Sequence, residues 1–584
     1  MIPAWLLFLV AIGYLAALFS VAAWGDRRVD LVGQPPLRAW VYSLALGVYC
    51  TTWTVFGAVG TAKASGWGFL PIYLGPILVF LFLPGLLERL VLVARQQNVG
   101  SVSHLIAARF GRSRPLAALV TVIALFAAVP YIALQFKAIS ASIDVLSPPA
   151  GGHGPRLVED TALYVAVMMA LFAMLFGTRE ASATAQRRGL LVAVALESVV
   201  KLAALLAVAA LALALGDDSW TSAVGRAASD PRWSPQQFGT LGFLTQTLLA
   251  ACAVVCLPRQ FQVAVVECTD PADLRLARRV FIGYMVLISA AVLPVAWLAD
   301  TLVAGGNPDH VLLRLPLENG HPGIALLAFV GGLSAGTAMV IVVSVALSTM
   351  ISNDLLMPLL MRIRQLRLSE RGDLSAWVLG CRRFSIGLLA VLAFTFYRAG
   401  GGSESLASYG LLAFSAVAQF APALLASLYW RNASLPGVAW GLAGGFAVWF
   451  YTLLLPQLAA AGWFAGEFVS AGPFGITALA PQALLGTGGP DPLTHGTLWS
   501  LLVNCVLLIG MSWRHRPHLG ERLQAAAYLD PYALHASAAA ELVPHVQQRE
   551  LVELAQRILG REPANAAYAE FFARQQRQPA PKAQ

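Results

Sequence analysis

The hydrophobic positions of this chain form long continuous runs instead of the spaced stripes of a soluble protein. A helix needs about 20 apolar residues to cross a bilayer, and each run is long enough to do so. The runs predict about thirteen spans, which lie near residues 3–23, 39–62, 67–94, 115–145, 160–178, 189–216, 239–262, 280–304, 323–360, 376–397, 405–429, 436–458 and 496–513. The predicted fold class is therefore an all-α polytopic membrane protein.

The loops between these runs alternate between rich and poor in basic residues. The rich loops hold Arg27, Arg28, Arg38, Arg95, Arg109, Arg112, Arg114, Arg179, Arg187, Arg188, Arg275, Arg278, Arg279, Arg362, Arg364, Arg367, Arg371, Arg514 and Arg516. The poor loops hold Lys63, Arg156, Arg226, Arg232, Arg314 and Arg398. Because cytoplasmic loops collect Lys and Arg, we predict an external N-terminus and a cytoplasmic C-terminus. The net charge of +9 then requires no nucleic-acid partner.

Composition supports the membrane prediction and limits the chemistry. Hydrophobic residues make up 58% of the chain and charged residues only 12%, outside the usual range of soluble domains. The six cysteines stand singly, without zinc-site spacing: Cys50, Cys252, Cys256, Cys268, Cys381 and Cys505. We expect them to be small buried side chains, and we predict neither a metal site nor a cofactor.

The last part of the chain differs in kind from the spans. We predict two domains, a transmembrane domain over residues 1–513 and a cytoplasmic helical domain over residues 514–584. The second has an apolar stripe at helical spacing, made of Leu551, Leu554, Ile558 and Leu559, and a polar, proline-containing end that we expect to be disordered. It carries no glycine-rich phosphate loop and no phosphoacceptor block, so we expect no enzymatic activity and no catalytic residue.

Three spans carry polar or helix-breaking residues, which mark the interior of a transporter or channel. Span two reads "VYCTTWTVFGAVG", whose glycines permit either a broken helix that lines a cavity or a small-residue packing face. Span four carries Gln135, which should face a cavity or another helix, and Lys137, which lies near the outer end and has the alternative of snorkelling to the headgroups. Pro258 interrupts span seven.

These stretches resemble the sodium/solute symporter family over residues 1–513. The similarity rests on "CLPRQFQVAVVECTDPADLRLARRV", on "LYWRNASLPGVAWGLAGGF", and on the thirteen-span arrangement. It implies a LeuT-like core of ten helices in two inverted repeats of five, with the first helix of each repeat broken at the midplane. In this chain the broken helices would be spans two and seven.

A closer similarity is to the symporter-like membrane domain of CbrA-type sensor histidine kinases. It rests on "TTWTVFGAVGTA", "VPYIALQFKA", "ALESVVKL" and "ALSTMISNDLLMPLL". The segment "RELVELAQRILGREPANAAYAEFFA" resembles the short STAC domain that links such membrane domains to their kinases. The similarity implies a bacterial cytoplasmic (inner) membrane location, histidine or a related amino acid as solute, and a histidine kinase module in cis or in trans as a partner.

The chain departs from the sodium-coupled pattern at span nine. Sodium-coupled members carry adjacent Ser and Thr hydroxyls there, and counting back from "ISNDL" places that pair on Ala338 and Met339. Neither side chain offers the oxygen that a hard cation needs. Thr337 is one position away, about 100° around the helix, and is expected to point elsewhere. This departure argues against a conventional sodium site.

Span six carries two opposite charges in an apolar run, Glu197 and Lys201. Their i,i+4 spacing puts both on one face of the helix, where they are able to pair. The alternatives are a desolvated ion pair that locks span six to its neighbours, a protonatable Glu197 that couples a proton to transport and is tuned by Lys201, and a packing role at a partner interface.

The expected function is the binding and import of an amino acid-like solute, with a proton or sodium as coupling ion. The solute would lie at the midplane of the bilayer between spans two, four and seven. Its predicted binding residues are Tyr49, Thr52, Trp53, Gln135, Lys137, Ala250 and Val254. The alternatives are a solute receptor domain that does not transport and a conventional sodium/solute symporter.

Overall fold

The computed structural model describes residues 2–148, 160–177, 188–216, 220–363, 373–400, 405–463, 466–489, 491–515, 517 and 519–532, and residues 556, 562, 563, 565 and 566 of the tail. Every regular element in these ranges is helical. Residues up to Leu529 form one compact unit, and Asp530–Gln584 form a second. Some predictions lie outside the described residues: the stripe Leu551, Leu554, Ile558 and Leu559, and the arginines Arg156, Arg179, Arg187, Arg364, Arg367, Arg371 and Arg516.

The first thirteen α-helices account for spans one to seven. They are α1 (Ala4–Arg27), α2 (Val29–Val32), α3 (Leu37–Ala45), α4 (Ala58–Ser65), α5 (Pro71–Phe82), α6 (Pro84–Gln96), α7 (Val102–Arg109), α8 (Arg114–Leu146), α9 (Thr161–Gly177), α10 (Arg188–Leu215), α11 (Trp220–Ser229), α12 (Leu241–Cys256) and α13 (Pro258–Phe261).

Twelve further α-helices complete the described chain. They are α14 (Leu274–Leu302), α15 (Val311–Glu318), α16 (Pro322–Met350), α17 (Met357–Leu360), α18 (Ser375–Ala399), α19 (Leu406–Ala418), α20 (Phe420–Tyr429), α21 (Leu435–Trp449), α22 (Leu455–Ala460), α23 (Glu467–Ala471), α24 (Pro492–Arg514) and α25 (Leu519–Leu529). Among the described helices, nine are long and apolar enough to span a membrane, and three bent pairs bring the possible spans to twelve. The apolar α9 is shorter, and the predicted count of thirteen stays a prediction.

Side-chain caps define where several helices begin. A hydroxyl or carboxylate before the first turn accepts a hydrogen bond from a backbone N–H of that turn, which stabilises a helix by about 1 kcal/mol. The capping residues include Ser101, Ser113, Thr240, Ser405, Ser434 and Asp491. Interior packing then depends on the apolar faces. In the most apolar window of the span Pro322–Leu360, 83% of the residues are buried, against 28% in Ala4–Arg27, so α16 lies at the centre of the unit and α1 at its edge.

Spans two and seven, the two that the sequence predicts to be broken, are both bent. The halves Leu37–Tyr49 and Trp53–Phe69 meet at 71°, and Leu241–Cys256 and Pro258–Val266 meet at 49°. A third bend was not predicted: Pro71–Phe82 and Pro84–Gln96 meet at 77°, because Leu83 precedes a proline and leaves the helical conformation.

The break in span two lies outside the glycines that suggested it. Cys50 adopts an extended conformation, with φ −77° and ψ 114°, and the second half begins at Trp53 as a π-helical turn. The glycines of the second half serve close packing instead. A Cβ on Gly60 would lie 2.2 Å from the Asp309 Oδ1 atom, so only glycine lets the loop that carries Asp309 approach this half-helix.

The helix α25 packs on the helices α7 and α20 of the compact unit. The buried Arg109 donates to the carbonyl of Glu521 at 2.9 Å, and the Tyr528 hydroxyl donates to the carbonyl of Leu105 at 2.8 Å. Gln524 accepts a hydrogen bond from the backbone of Gly111 at 2.7 Å. The compact unit thus extends past the last span to Leu529, and the separate cytoplasmic domain over residues 514–584 stays a prediction.

Candidate functional site

The break in span two leaves four consecutive backbone carbonyls at the end of its first half. A helix C-terminus ends in carbonyls without intrahelical partners and carries a partial negative charge. At this break the carbonyls belong to Gly47, Val48, Tyr49 and Cys50, all of which are buried. Gly47 O already accepts from the Cys50 N–H at 3.0 Å. Such oxygens need donors within the protein, because water does not reach them.

Two buried cations supply these donors. The Lys201 ammonium donates to Gly47 O at 2.6 Å and to Cys50 O at 2.8 Å. The Arg259 guanidinium donates to Val48 O at 2.6 Å and to Tyr49 O at 3.2 Å. Lys201 comes from α10 and Arg259 from α13, so spans six and seven both hold the break. Cations at a helix C-terminus are electrostatically favourable, and this contact compensates their burial.

Arg259 has a further partner on span four. Its guanidinium donates to the Tyr131 hydroxyl at 2.8 Å and lies 4.8 Å from the centre of the Tyr131 ring. The sequence prediction used the neighbouring Pro258 and overlooked this arginine. An arginine inside an apolar span is itself a signal of function, so the sequence offered the clue.

Glu197 and Lys201 do not pair as the i,i+4 spacing suggested. Glu197 accepts a hydrogen bond at Oε1 from the Thr337 hydroxyl at 2.7 Å, and its backbone carbonyl accepts one from Ser334 at 2.9 Å. No ion pair between Glu197 and Lys201 occurs among the described residues. The carboxyl group is therefore bound to span nine and the ammonium to span two, because each finds a better-placed partner there.

From its position beside the expected Ser-Thr pair, we predicted that Thr337 points away from a sodium site. Its hydroxyl bonds the Glu197 carboxyl group, and it also lies within hydrogen-bond distance of Leu333 O and Ser334 O in its own helix. Ala338 and Met339 are fully buried. The span-nine hydroxyl closest to the predicted pair thus serves a protein carboxyl group.

Three of the predicted solute-binding side chains bond other helices. The Thr52 backbone N–H and hydroxyl donate to Gln135 Oε1 at 3.3 and 2.8 Å, and Gln135 Nε2 donates to Tyr131 O at 3.0 Å. The Tyr49 hydroxyl donates to Ile72 O at 2.9 Å. All three side chains are fully buried, so in this conformation they hold spans two, three and four together.

A cavity of about 530 Å³ lies beside the second half of span two, within the range of small-molecule sites. The aromatic side chains of Trp53, Phe69 and Phe414 and the polar side chains of Gln246, Asn307 and Asp309 line it. Loop residues from the arginine-poor side of the protein contribute to its wall, so the cavity lies toward the predicted outer surface.

Only some of the predicted solute-binding residues line this cavity. Trp53 and Ala250 belong to its lining, whereas Val254 is fully buried and does not line it. The Lys137 ammonium lies 5.3 Å from the centre of the Tyr409 ring, and its positive charge acts on Asp309. The role of each residue in binding a solute stays a prediction.

Asp309 is a cavity residue that no sequence pattern singled out. It lies in a loop turn, Pro308–His310, and its Oδ2 atom accepts a hydrogen bond from the backbone N–H of Leu406 at 3.2 Å. Burial raises the pKa of the Asp309 carboxyl group, while the Leu406 hydrogen bond and the charge of Lys137 lower it. A single aspartate in a loop has no distinguishing sequence pattern, and only the fold brings it to the cavity.

Comparison with known proteins identifies the type of fold. No protein-family model and no curated protein matches the chain. Among solved structures, a substrate-bound, outward-open Na⁺-coupled sialic acid symporter is 12% identical, with a TM-score of 0.60, over 88% of this chain and 98% of the symporter. The chain has the fold of a sodium-coupled symporter.

A manganese transporter from Eremococcus coleocola also matches. It is 15% identical over 84% of this chain and 95% of its own, with a TM-score of 0.45. Together with the apolar spans, the symporter match makes this a multi-pass membrane protein with a transporter fold.

Proposed function

We propose that this protein is a secondary transporter of the bacterial cytoplasmic membrane that imports an amino acid-like solute, with histidine favoured. One observation separates this proposal from a sodium-coupled symporter: Lys201 and Arg259 donate to all four carbonyls at the break in span two. Histidine is favoured by the sequence resemblance. In broken-helix transporters, unwound backbone carbonyls coordinate the coupling cation. Here covalently attached cations bind these oxygens, so the transporter does not need sodium at this place.

A proton is the proposed coupling ion, with Glu197 as its acceptor. Glu197 is buried on the helix that carries Lys201, and Thr337 connects it to span nine. A buried carboxyl group without an ion-pair partner is neutralised most simply by a proton. Protonation at this position changes a contact between two central helices, which is how proton binding would bias the transport cycle.

The test is uptake of radiolabelled histidine into proteoliposomes under proton and sodium gradients imposed separately. We expect accumulation with the proton gradient alone. Glu197→Gln keeps the side-chain size and an oxygen that accepts from Thr337 but binds no proton, so it should lose accumulation and retain exchange of histidine across the membrane. Glu467→Gln, at an exposed position, is the matched control and should behave as wild type.

Two results would contradict the coupling scheme. Accumulation driven only by sodium would mean that a sodium site exists despite Ala338 and Met339. Saturable histidine binding without uptake under either gradient would favour a receptor.

The receptor is the second candidate, and the packing of α25 supports it. Hydrogen bonds from Arg109 and Tyr528 attach this helix to α7 of the transporter unit. A change of conformation in the unit would therefore reach the following residues, which resemble STAC, and through them a histidine kinase in cis or in trans. Deleting residues 530–584, which lie beyond the compact unit, separates the candidates, since uptake that persists would show transport independent of signalling.

A further inference from the structure

Two places near span two have oxygen atoms that could accept a hydrogen bond from a solute: the break in the span and the wall of the cavity. The break offers four carbonyl oxygens, the kind of group that accepts hydrogen bonds from a solute ammonium. Lys201 and Arg259 already donate to these oxygens. An ammonium group entering from the cavity therefore needs another acceptor, and a charged one would bind it most strongly.

Asp309 is the one ionisable side chain in the described lining of this cavity. Its Oδ2 atom accepts from the Leu406 N–H, and no hydrogen bond to Oδ1 occurs among the described residues. Lys137 is near enough to act on Asp309 electrostatically, but no ion pair joins the two among the described residues, and the Lys137 ammonium lies over the Tyr409 ring. Asp309 Oδ1 is thus available for a positively charged group.

The surroundings of Asp309 suit an ammonium-bearing solute. The rings of Trp53 and Phe414, with centres 5.2 Å apart, provide an apolar and aromatic wall that also attracts cations. Gln246 and Asn307 provide neutral donors and acceptors on the same lining. Gly60 leaves the space that Asp309 occupies, since a Cβ there would lie 2.2 Å from Oδ1.

We infer that Asp309 is the anchor for the solute ammonium, so that the transporter selects amine-bearing solutes and rejects their deaminated analogues. This inference rests on the proposed transport function and adds the solute class and the residue that selects it. A bound ammonium beside the carboxylate also favours the charged form of Asp309, so solute binding and ionisation support each other.

The test compares histidine with imidazolepropionate, which lacks the amino group, and lysine with 6-aminohexanoate and hexanoate, in binding to the purified full chain and in proteoliposome uptake. Wild type should bind histidine at least tenfold more tightly than imidazolepropionate, and should bind lysine and 6-aminohexanoate at least tenfold more tightly than hexanoate. Asp309→Asn keeps an oxygen for the Leu406 N–H and removes only the charge. It should bind histidine at least tenfold more weakly and lose its preference over imidazolepropionate.

Two variants separate charge from folding. Asp300→Asn removes a carboxylate that pairs with Lys63 at 3.1 Å and is 65% exposed. The binding of histidine and of imidazolepropionate should not change in this variant. Gly60→Ala keeps the charge but displaces Asp309, and should weaken histidine binding in the same direction as Asp309→Asn. Thermal unfolding of each variant near the wild-type temperature establishes that it is folded.

The outcomes distinguish this inference from the transport function beneath it. Uptake of histidine or lysine that is unchanged in Asp309→Asn overturns the role of Asp309 and leaves transport standing. Equal uptake of histidine and imidazolepropionate by wild type overturns the amine selectivity. Neither binding nor uptake of any of these solutes by wild type overturns the transport of amino acid-like solutes itself, and the inference with it.

Discussion

Spans two and seven are both bent, but the bends have different causes. In span seven the cause is local: Leu257 is extended, with φ −62° and ψ 127°, because Pro258 follows it and disfavours the helical conformation. Span two contains neither proline nor glycine between Tyr49 and Trp53. Its bend is held instead by Lys201 and Arg259, which come from other spans. One bend is therefore encoded at its own position, and the other depends on the assembled protein.

The largest effect should follow from removing the lysine that holds the span-two break. Lys201→Met leaves Cys50 O without a donor among the described residues and leaves Gly47 O with only the Cys50 N–H. An unsatisfied buried oxygen costs about 1–3 kcal/mol. We expect a lowered unfolding temperature and uptake reduced by roughly 100-fold or more, since the loss of a few kcal/mol at the site changes an equilibrium by that factor.

Lys63→Met is the control for this variant. Lys63 makes an outer ion pair with Asp300, of the kind worth about 0–1 kcal/mol, and should change little. Wild-type uptake and stability in Lys201→Met would contradict the account of the break. If sodium restores uptake in Lys201→Ala, the account of the break is strengthened, because a free sodium ion would then replace the Lys201 ammonium group.

An intermediate effect is expected from Arg259→Lys. A lysine keeps the charge but cannot reach Val48 O, Tyr49 O and the Tyr131 hydroxyl together, because its ammonium lacks the planar fork of arginine. The loss of one or two hydrogen bonds, each worth about 1 kcal/mol, should reduce uptake about tenfold. Uptake kinetics with the exposed Arg275→Lys as control would check this, and equal rates in wild type and Arg259→Lys would refute it.

The smallest effect should come from Pro258→Ala. Alanine tolerates the conformation that proline imposes, and such a change alters stability by about 0.4–1 kcal/mol, chiefly through the unfolded chain. We expect uptake to fall by no more than about threefold, measured in the same assay. A loss as large as that of Lys201→Met would show that the two bends are not maintained separately.

The sequence predicted the parts of this molecule that depend on local patterns. Apolar runs indicated the spans, and Pro258 indicated the bend in span seven. The span-two bend was predicted from resemblance and from glycines that turned out to serve packing, as Gly60 does against Asp309. The partners of Lys201 lie more than 150 residues away in the chain, and no spacing rule reports such contacts.

The candidate site shows the same division. Trp53 and Ala250 were selected from their spans and do line the cavity. Gln135 was expected to face a cavity or another helix, and it bonds Thr52 of span two. Asp309 escaped notice because a loop aspartate carries no periodic signal, and its place depends on how the loop folds back over span two.

The attached cations at the break also have an electrical consequence. A sodium ion enters and leaves the membrane field in each cycle, whereas the charges of Lys201 and Arg259 stay within it. If they move along the membrane normal as the broken span changes conformation, each elementary charge crossing the full field contributes about 2.3 kcal/mol per 100 mV. The empty protein should then produce transient currents on voltage steps in sodium-free solution, and these should become smaller in Lys201→Met.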